Sequence, residues 1–204
     1  MQLIGMLDSP YVRRVAITAE FLGIRLERRQ ISVFQNYDEI RAINPMVKVP
    51  TLVLDDGRVL VDSSLIIDYL EAISDRPPLV PADLSPRVDA LAAIGTAIVV
   101  NEKAVQLYYE TNKRPAEAQY EPWLARVREQ IGNALGCAEA IVGDGEKWLG
   151  GDAPGQADIT IATAWRFVQL HFAAEFAPAS YPGLARLSAR AEALPEFRAC
   201  PLAS

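Results

Sequence analysis

The chain of 204 residues is long enough to bury a hydrophobic core, and half of its residues are hydrophobic. Its formal net charge of -6 argues against a nucleic-acid or anionic-membrane partner, because phosphate groups are bound by clustered Lys and Arg. No apolar run reaches the roughly 20 residues of a membrane span, so we expect a soluble globular protein. The basic residues are scattered or form short pairs, such as Arg13-Arg14 and Arg28-Arg29, which we expect on solvated faces.

Cysteine and histidine are too scarce to suggest a metal site or a disulfide framework. Cys137 and Cys200 are far apart and not in metal-ligand spacing, and His171 is the only histidine. Residues 1–10 lack the basic segment and apolar core of a secretory signal. We therefore expect no bound metal and a reducing, cytoplasmic location.

The first part of the chain alternates strand and helix patterns. Residues 2–6 predict an apolar strand, after which Ser9 suits a helix N-cap and Pro10 the first helical position. Apolar residues then recur at helical spacing as far as Leu22, and Gly23 suits the C-terminal cap. A second strand is predicted over residues 25–31, and a short helix over 37–43.

A loop, two strands and a helix are predicted between residues 44 and 74. The loop ends at Pro50, directly before an apolar strand, and this suits only the first strand position because proline cannot donate a ladder hydrogen bond. A turn at Asp55-Asp56-Gly57 leads to a second strand, and a helix opens on Ser63. A cis Val49-Pro50 bond would leave the backbone N–H and C=O of Val49 facing outward, able to pair with an extended peptide.

Beyond a proline-rich stretch the pattern is helical. Residues 74–86 form the best linker candidate, since they contain Pro77, Pro78, Pro81 and Pro86. Long helices are predicted over residues 87–112, 117–142 and 155–174, and shorter ones over 184–193 and 195–199. Pro122 fits the second long helix only in its first turn. The third is apolar almost all round, which predicts the buried centre of a helical bundle.

Two of these motifs resemble the glutathione-binding half of the cytosolic glutathione transferases. In that family Asn-Pro-x-x-Lys-Val-Pro-x-Leu carries a cis proline, and an acidic residue followed by Ser opens the third helix. Residues 44–52 and Asp62-Ser63 match both motifs in order and at the family's spacing, although Val47 stands where many members have Gly. The resemblance implies an α/β thioredoxin-like domain over residues 1–76, a linker over 77–86 and an all-α helical bundle domain over 87–204.

The residues before the third long helix also resemble a family feature. Gly155-Gln156-Ala157-Asp158 is similar to the family's capping box, although Gly155 has no side-chain oxygen to contribute. Asp158 is therefore predicted to be structural, with its carboxylate bonded to backbone N–H groups of the first helical turn.

The resemblance implies a site for glutathione, an acidic tripeptide with a thiol. Val49, held by Pro50, would pair with the cysteinyl backbone as in β-augmentation. Ser63 would hold the γ-glutamyl carboxylate at a helix start, and Asp62 would meet the γ-glutamyl ammonium. Lys48 would offer its charge to the glycyl carboxylate. Capping and binding are compatible at Asp62-Ser63, because a ligand anion uses donors that the helix leaves over.

Ser9 is the candidate catalytic residue. Lowering a thiol pKa from ~8.5 to about 6.5 requires roughly 2.7 kcal/mol of thiolate stabilisation, and a hydroxyl at a helix N-terminus can supply most of it. In the family this position holds Ser or Cys in several classes, and Ser9 resembles the serine type found in bacterial-like members. The absence of a C-x-x-C motif disfavours thioredoxin or glutaredoxin activity. Tyr11 offers a second hydroxyl near the same place.

A second substrate is expected between the two domains, with Tyr11, Tyr108, Tyr109 and Trp165 as candidate wall residues. The main hypothesis is a homodimeric cytosolic glutathione transferase that conjugates glutathione to a small electrophilic, mostly apolar molecule, a detoxification reaction. One alternative is a binding or regulatory module of the same fold without turnover. Another is a glutathione-dependent isomerase or dehalogenase, although the Ser-Cys-Ser signature of the isomerase class is absent around Ser9.

Overall fold

The structure, a computed structural model, describes residues 1–202 and separates them into two units. The first contains Met1–Leu79 and the C-terminal stretch that begins at Ala193, and the second is Val80–Glu192. The C-terminal stretch thus groups with the α/β unit, whereas the sequence places it in the helical domain. Of the described residues, none forms a helix that is both long and apolar enough to cross a membrane.

A mixed sheet of four strands forms the centre of the first unit. The strands are β1 (Gln2–Ile4), β2 (Glu27–Arg29), β3 (Thr51–Val53) and β4 (Val59–Val61), in the order β2-β1-β3-β4. β1 pairs with β2 in parallel, whereas the β1–β3 and β3–β4 pairs are antiparallel. A parallel pair needs a crossover connection, which the helix between β1 and β2 provides. The predicted thioredoxin-like arrangement is confirmed.

The helices of the first unit are α1 (Pro10–Leu22), α2 (Tyr37–Ile43) and α3 (Ser63–Ile73), together with the short α8 (Pro195–Arg198) near the C-terminus. Ser9 is the N-cap of α1, and Gly23 ends the helix in the left-handed conformation with φ of +69°. Both caps agree with the sequence prediction, because each residue type suits the local backbone that a helix end requires.

The prediction that Arg13-Arg14 lies on a solvated face is wrong, since each side chain is only 1% exposed. The reason is that α1 contacts β1, α3 and α8, so little of its circumference reaches solvent. Arg13 Nε donates a hydrogen bond of 2.9 Å to the Cys200 carbonyl, and its guanidinium lies 5.7 Å from the Phe197 ring centre. Arg28 Nη1 similarly donates to the Ala199 carbonyl at 2.8 Å. These bonds tie the C-terminal stretch to the first unit.

The second unit is helical, as predicted. Its long helices are α4 (Leu84–Asn112), α5 (Glu121–Val142) and α6 (Gln156–Phe172), followed by α7 (Pro182–Glu192), with 3₁₀ turns at Ala116–Ala118 and Pro178–Ser180. α6 packs against α4 and α7 and is buried along most of its length, in agreement with its predicted central position. Helix α4 begins at Leu84, inside the predicted linker. Pro86 is tolerated there because the N–H groups of a first helical turn need no partner within the helix.

Asp158 anchors the loop that precedes α6. Its carboxylate accepts hydrogen bonds from the backbone N–H of Leu149 (2.8 Å), Gly150 (3.0 Å) and Gly155 (2.9 Å). Burial raises the pKa of Asp158, although these three donors act in the opposite direction. The structural role is as predicted. The partners differ, however, because the carboxylate turns back to the N-cap residue Gly155 and the preceding loop rather than to the first turn of the helix.

Replacement of Asp158 by Ala is expected to lower the free energy of unfolding by about 3 kcal/mol, because three N–H groups in a partly buried loop lose their acceptor. Asp152→Ala is the matched control, since Asp152 lies in the same loop but is exposed, and it should change stability by less than about 0.5 kcal/mol. Urea denaturation followed by circular dichroism measures both. Equal midpoints for the two variants would contradict the anchoring role.

Candidate functional site

The loop before β3 presents the backbone of Val49. The Val49-Pro50 peptide bond is cis, as the resemblance to the family motif implies, and Pro50 is buried. No hydrogen-bond partner for the N–H or the C=O of Val49 is found among residues 1–202. An N–H and a C=O of one residue that are both without partners can pair with an extended peptide, as an edge strand does.

A buried polar network holds this loop in shape. Asn44 is 1% exposed, and its Nδ2 donates to Thr51 Oγ1 at 2.9 Å and to the Lys48 carbonyl at 3.3 Å. Its Oδ1 accepts from the Met46 N–H at 3.1 Å, and Thr51 Oγ1 donates to the Lys48 carbonyl at 2.5 Å. The sequence pattern contains Asn44 and Thr51 but does not show that they meet. Their role is to fix the backbone on both sides of Val49.

Gly5, which the sequence reasoning does not single out, allows β1, α1 and this loop to approach closely. Its φ is +132°, a conformation that favours glycine. A Cβ atom at this position would lie 2.7 Å from Val12 Cγ2 and 3.0 Å from Val49 Cβ. Gly5 is therefore required for Val49 to lie beside the first turns of α1.

The start of α3 offers a donor for an anion. Asp62 is the N-cap, and its Oδ1 accepts from the N–H groups of Ser64 (2.8 Å) and Leu65 (3.3 Å). Within the described residues, neither the Ser63 N–H nor Asp62 Oδ2 has a hydrogen-bond partner. Capping thus uses two of the donors at the helix start and leaves the Ser63 N–H without an acceptor among the described residues.

Ser9 lies at the start of α1, where the helix dipole favours an anion. It is half-buried, and its Oγ accepts a long hydrogen bond of 3.4 Å from the Val12 N–H. No acceptor for the Ser9 hydroxyl proton is present in the part of the chain that the structure describes. Tyr11 is half-buried in the first turn of the same helix. The exposed Lys48 forms no ion pair with any residue of 1–202.

Arg14 is a residue of this region that the sequence reasoning misplaced. Its Nη1 donates to Ser63 Oγ at 3.0 Å and to Ser64 Oγ at 3.2 Å, so it connects α1 to the start of α3. Burial lowers the pKa of Arg14 to about 10, while the nearby Asp62 and Tyr11 act in the opposite direction. The guanidinium therefore stays charged at neutral pH. The sequence did contain a signal for the burial of Arg14, because the residues one helical turn before and after it carry no charge: Pro10, Tyr11, Ile17 and Thr18.

Three of the four aromatic residues predicted to form a second-substrate wall lie in the second unit, where their environments differ. The Tyr108 ring centre lies 4.5 Å from that of His171, and Tyr109 is 44% exposed. Trp165 is only 4% exposed and makes an edge contact with Tyr181 at 5.6 Å between ring centres. Trp165 thus packs in the helical bundle, and its geometry gives no support to a role in substrate binding.

Comparison with known proteins supports the division of the chain into an α/β unit and a helical unit. Residues 3–78 match the family model described as "Glutathione S-transferase, N-terminal domain", and residues 121–190 match "Glutathione S-transferase, C-terminal domain". The GST-like protein YibF of Escherichia coli K12 is 32% identical over 166 residues, which are 80% of each chain. A maleylacetoacetate isomerase of Pseudomonas aeruginosa is 29% identical over 208 residues, covering 97% of this chain and 94% of the relative.

A solved structure also resembles the whole chain. A glutathione S-transferase from Methylobacterium radiotolerans, in complex with glutathione sulfonate, superposes with a TM-score of 0.91 at 30% identity, covering 100% of this chain and 95% of that one. A thioredoxin-like unit followed in sequence by a helical unit is the architecture of a class of glutathione-dependent enzymes. The chain belongs to the glutathione S-transferase family. Its relatives include both transferases and an isomerase.

Val47 is the position at which the chain departs from the family motif, and its φ of +48° is unfavourable for a β-branched residue. We expect Val47→Gly to be more stable than Val47→Ala by about 1 kcal/mol, because only glycine adopts this conformation without a steric penalty from Cβ. Urea midpoints of the two variants measure the difference. Because both variants lack the valine methyl groups, the comparison isolates the backbone effect, and equal midpoints would show that the loop bears no strain at this residue.

Proposed function

We propose that this protein is a glutathione transferase that conjugates glutathione to a small electrophilic, mostly apolar molecule. The observation that carries the proposal is a set of unused hydrogen-bonding groups in the first unit: the Val49 backbone, the Ser63 N–H and the hydroxyl proton of Ser9, none of which has a partner among residues 1–202. Hydrogen-bonding groups that the fold leaves without partners are available to a ligand.

Each part of glutathione has a complementary group in this proposal. The cysteinyl backbone pairs with the N–H and C=O of Val49. The γ-glutamyl carboxylate binds the Ser63 N–H at the start of α3, and the adjacent ammonium meets Asp62 Oδ2. The ammonium of Lys48 faces the glycyl carboxylate. Pro50 is buried behind Val49 and supports the loop rather than contacting the ligand.

Ser9 performs the chemical role by donating its hydroxyl hydrogen bond to the sulfur of glutathione. This bond, together with the dipole of α1, stabilises the thiolate, and the thiol proton passes to solvent. The thiolate then forms a carbon–sulfur bond with the electrophile. In a substitution a leaving group departs with the bonding electrons, and in an addition to a double bond the resulting carbanion takes a proton from solvent. Serine forms no covalent intermediate in this scheme.

A glutathione-dependent isomerase is the second candidate, and the relationship to a maleylacetoacetate isomerase supports it. The same thiolate can add to a conjugated double bond and leave again after rotation. Against this candidate, Ser9 is followed by Pro10 and Tyr11, so the Ser-Cys-Ser signature of the isomerase class is absent.

The proposal is tested first by retention on immobilised glutathione, and then by two assays with the same preparation. One is conjugation of a chloronitroaromatic compound, and the other is cis–trans isomerisation of a maleyl-type acid. We expect retention and conjugation. Faster isomerisation than conjugation would favour the second candidate, and retention without either reaction would indicate a binding module. Failure to bind glutathione would overturn the proposal.

We predict that Ser9→Ala keeps the Kd for glutathione within a few fold but loses most of the ultraviolet thiolate absorbance of the bound cosubstrate. Conjugation at neutral pH should fall about 10- to 100-fold, the effect of one hydrogen bond to a charged group. Because the bound thiol then has a higher pKa, the rise of the rate with pH should move to higher pH. Tyr11→Phe is the control and should keep the thiolate signal; the reverse result would assign the role to Tyr11.

We also propose that the protein is a homodimer, supported by an apolar stripe on α4. Leu84, Val88, Leu91 and Val99 are 76%, 54%, 48% and 42% exposed. At 100° per residue they lie, together with Gly95, on the side of α4 opposite its buried residues. A solvent-facing stripe of large apolar side chains marks a surface that another protein covers.

Val88→Glu should convert the dimer to a monomer at micromolar concentration, because it places a charge within the stripe. Ser85→Glu introduces the same carboxylate on the same helix, about 100° away from Leu84, and should leave the dimer intact. Sedimentation velocity distinguishes the species. A monomeric wild-type protein, or equal behaviour of both variants, would contradict this interface.

A further inference from the structure

Arg14 is a buried cation that lacks a matching anion. It is 1% exposed and forms no ion pair with the residues that the structure describes. Its Nε has no hydrogen-bond partner. The nearby carboxylate of Asp62 already accepts two backbone N–H groups through Oδ1 and is exposed to solvent. Buried charges are normally paired, so an unpaired guanidinium beside a binding site suggests that its counter-charge arrives with the ligand.

The hydrogen bonds of Arg14 determine how the start of α3 can interact with that ligand. Nη1 donates to Ser63 Oγ at 3.0 Å and to Ser64 Oγ at 3.2 Å. A serine hydroxyl has one proton and two acceptor positions, so a hydroxyl that accepts from a guanidinium keeps its own proton for another partner. The Ser63 hydroxyl and the Ser63 N–H are thus both available as donors at the positive end of a helix.

We propose that Arg14 is a positioning residue for the carboxylate at the γ-glutamyl end of glutathione. The guanidinium orients the Ser63 hydroxyl as a donor and adds a fixed positive charge behind the helix start. Asp62 carries the opposite charge beside it, so the two residues together match an α-amino acid group, which has one carboxylate and one ammonium. This inference rests on the proposed function, because it assigns a partner to one group of the proposed ligand.

The alternative role for Arg14 is a purely structural link between α1 and α3, which pack together. A structural link and a positioning residue differ in one measurable respect. Loss of a link weakens every ligand of the site to the same degree, whereas loss of a positioning residue weakens only ligands that carry the carboxylate. The ratio of two dissociation constants therefore separates them.

The experiment compares glutathione with 4-aminobutanoyl-cysteinylglycine, which lacks only the γ-glutamyl α-carboxylate. Both are titrated by calorimetry into the wild-type protein and into Arg14→Met, Arg14→Lys and Arg13→Met. In the wild type we expect glutathione to bind about 10- to 100-fold more tightly than the analogue, the usual effect of hydrogen bonds to a charged group. In Arg14→Met this ratio should fall below about 3, because only glutathione loses affinity.

Arg14→Lys keeps the positive charge and should restore most of the ratio. Arg13→Met is the matched control, since Arg13 is its equally buried neighbour on α1 but bonds to the Cys200 carbonyl instead of α3, and it should keep the wild-type ratio. If Arg14→Met does not fold, Ser63→Ala removes the hydroxyl that Arg14 is proposed to orient, and the ratio of the two dissociation constants should fall in this variant as well.

The outcomes separate this inference from the function on which it rests. A wild-type protein that binds neither ligand overturns the proposed function and this inference together. Wild-type binding with an unchanged ratio in Arg14→Met, or in Ser63→Ala where that variant replaces it, overturns the inference alone and leaves Arg14 as a structural link.

Discussion

The candidate site depends on backbone groups that the fold leaves without partners. The loop that turns into β3 does not pair the N–H and C=O of Val49 with the sheet, and a helix start cannot pair its first N–H groups internally. Both kinds of group occur within the first unit, beside a helix N-cap that holds a hydroxyl. In the proposed function, an acidic tripeptide supplies the complementary groups, a peptide backbone for Val49 and a carboxylate for the start of α3.

The residues that make this arrangement rigid do not need to contact the ligand. Asn44 and Thr51 shape the loop from within, and Gly5 allows Val49 to lie close to α1. Arg14 connects α1 with the start of α3. Each is buried, so each acts through packing and hydrogen bonds on groups that the fold leaves unpaired. A binding site made of main-chain atoms requires this kind of support, because its own atoms cannot be adjusted by a change of side chain.

Much of the fold and part of the site could be predicted from local sequence signals. Helix α1 begins after Ser9 and ends at Gly23, where the residue type itself suits the cap. The cis bond before Pro50 and the helix start at Asp62-Ser63 were likewise predicted from short motifs. The prediction failed where burial decides the outcome. Arginine is a residue type that usually lies at the surface, and only the packing of α1 against α3 buries Arg14.

By itself, the sequence determined the order of strands and helices, the helix ends and the short motifs of the site, because these depend on residues close together in the chain. The tertiary structure decided which distant residues meet: Asn44 with Thr51 across the loop, Arg14 with Ser63, and Arg13 with the carbonyl of Cys200. It also placed the C-terminal stretch with the α/β unit. The physical reason is that capping and turn preferences act locally, whereas the burial of a charge and its hydrogen-bond partners depend on how whole elements pack.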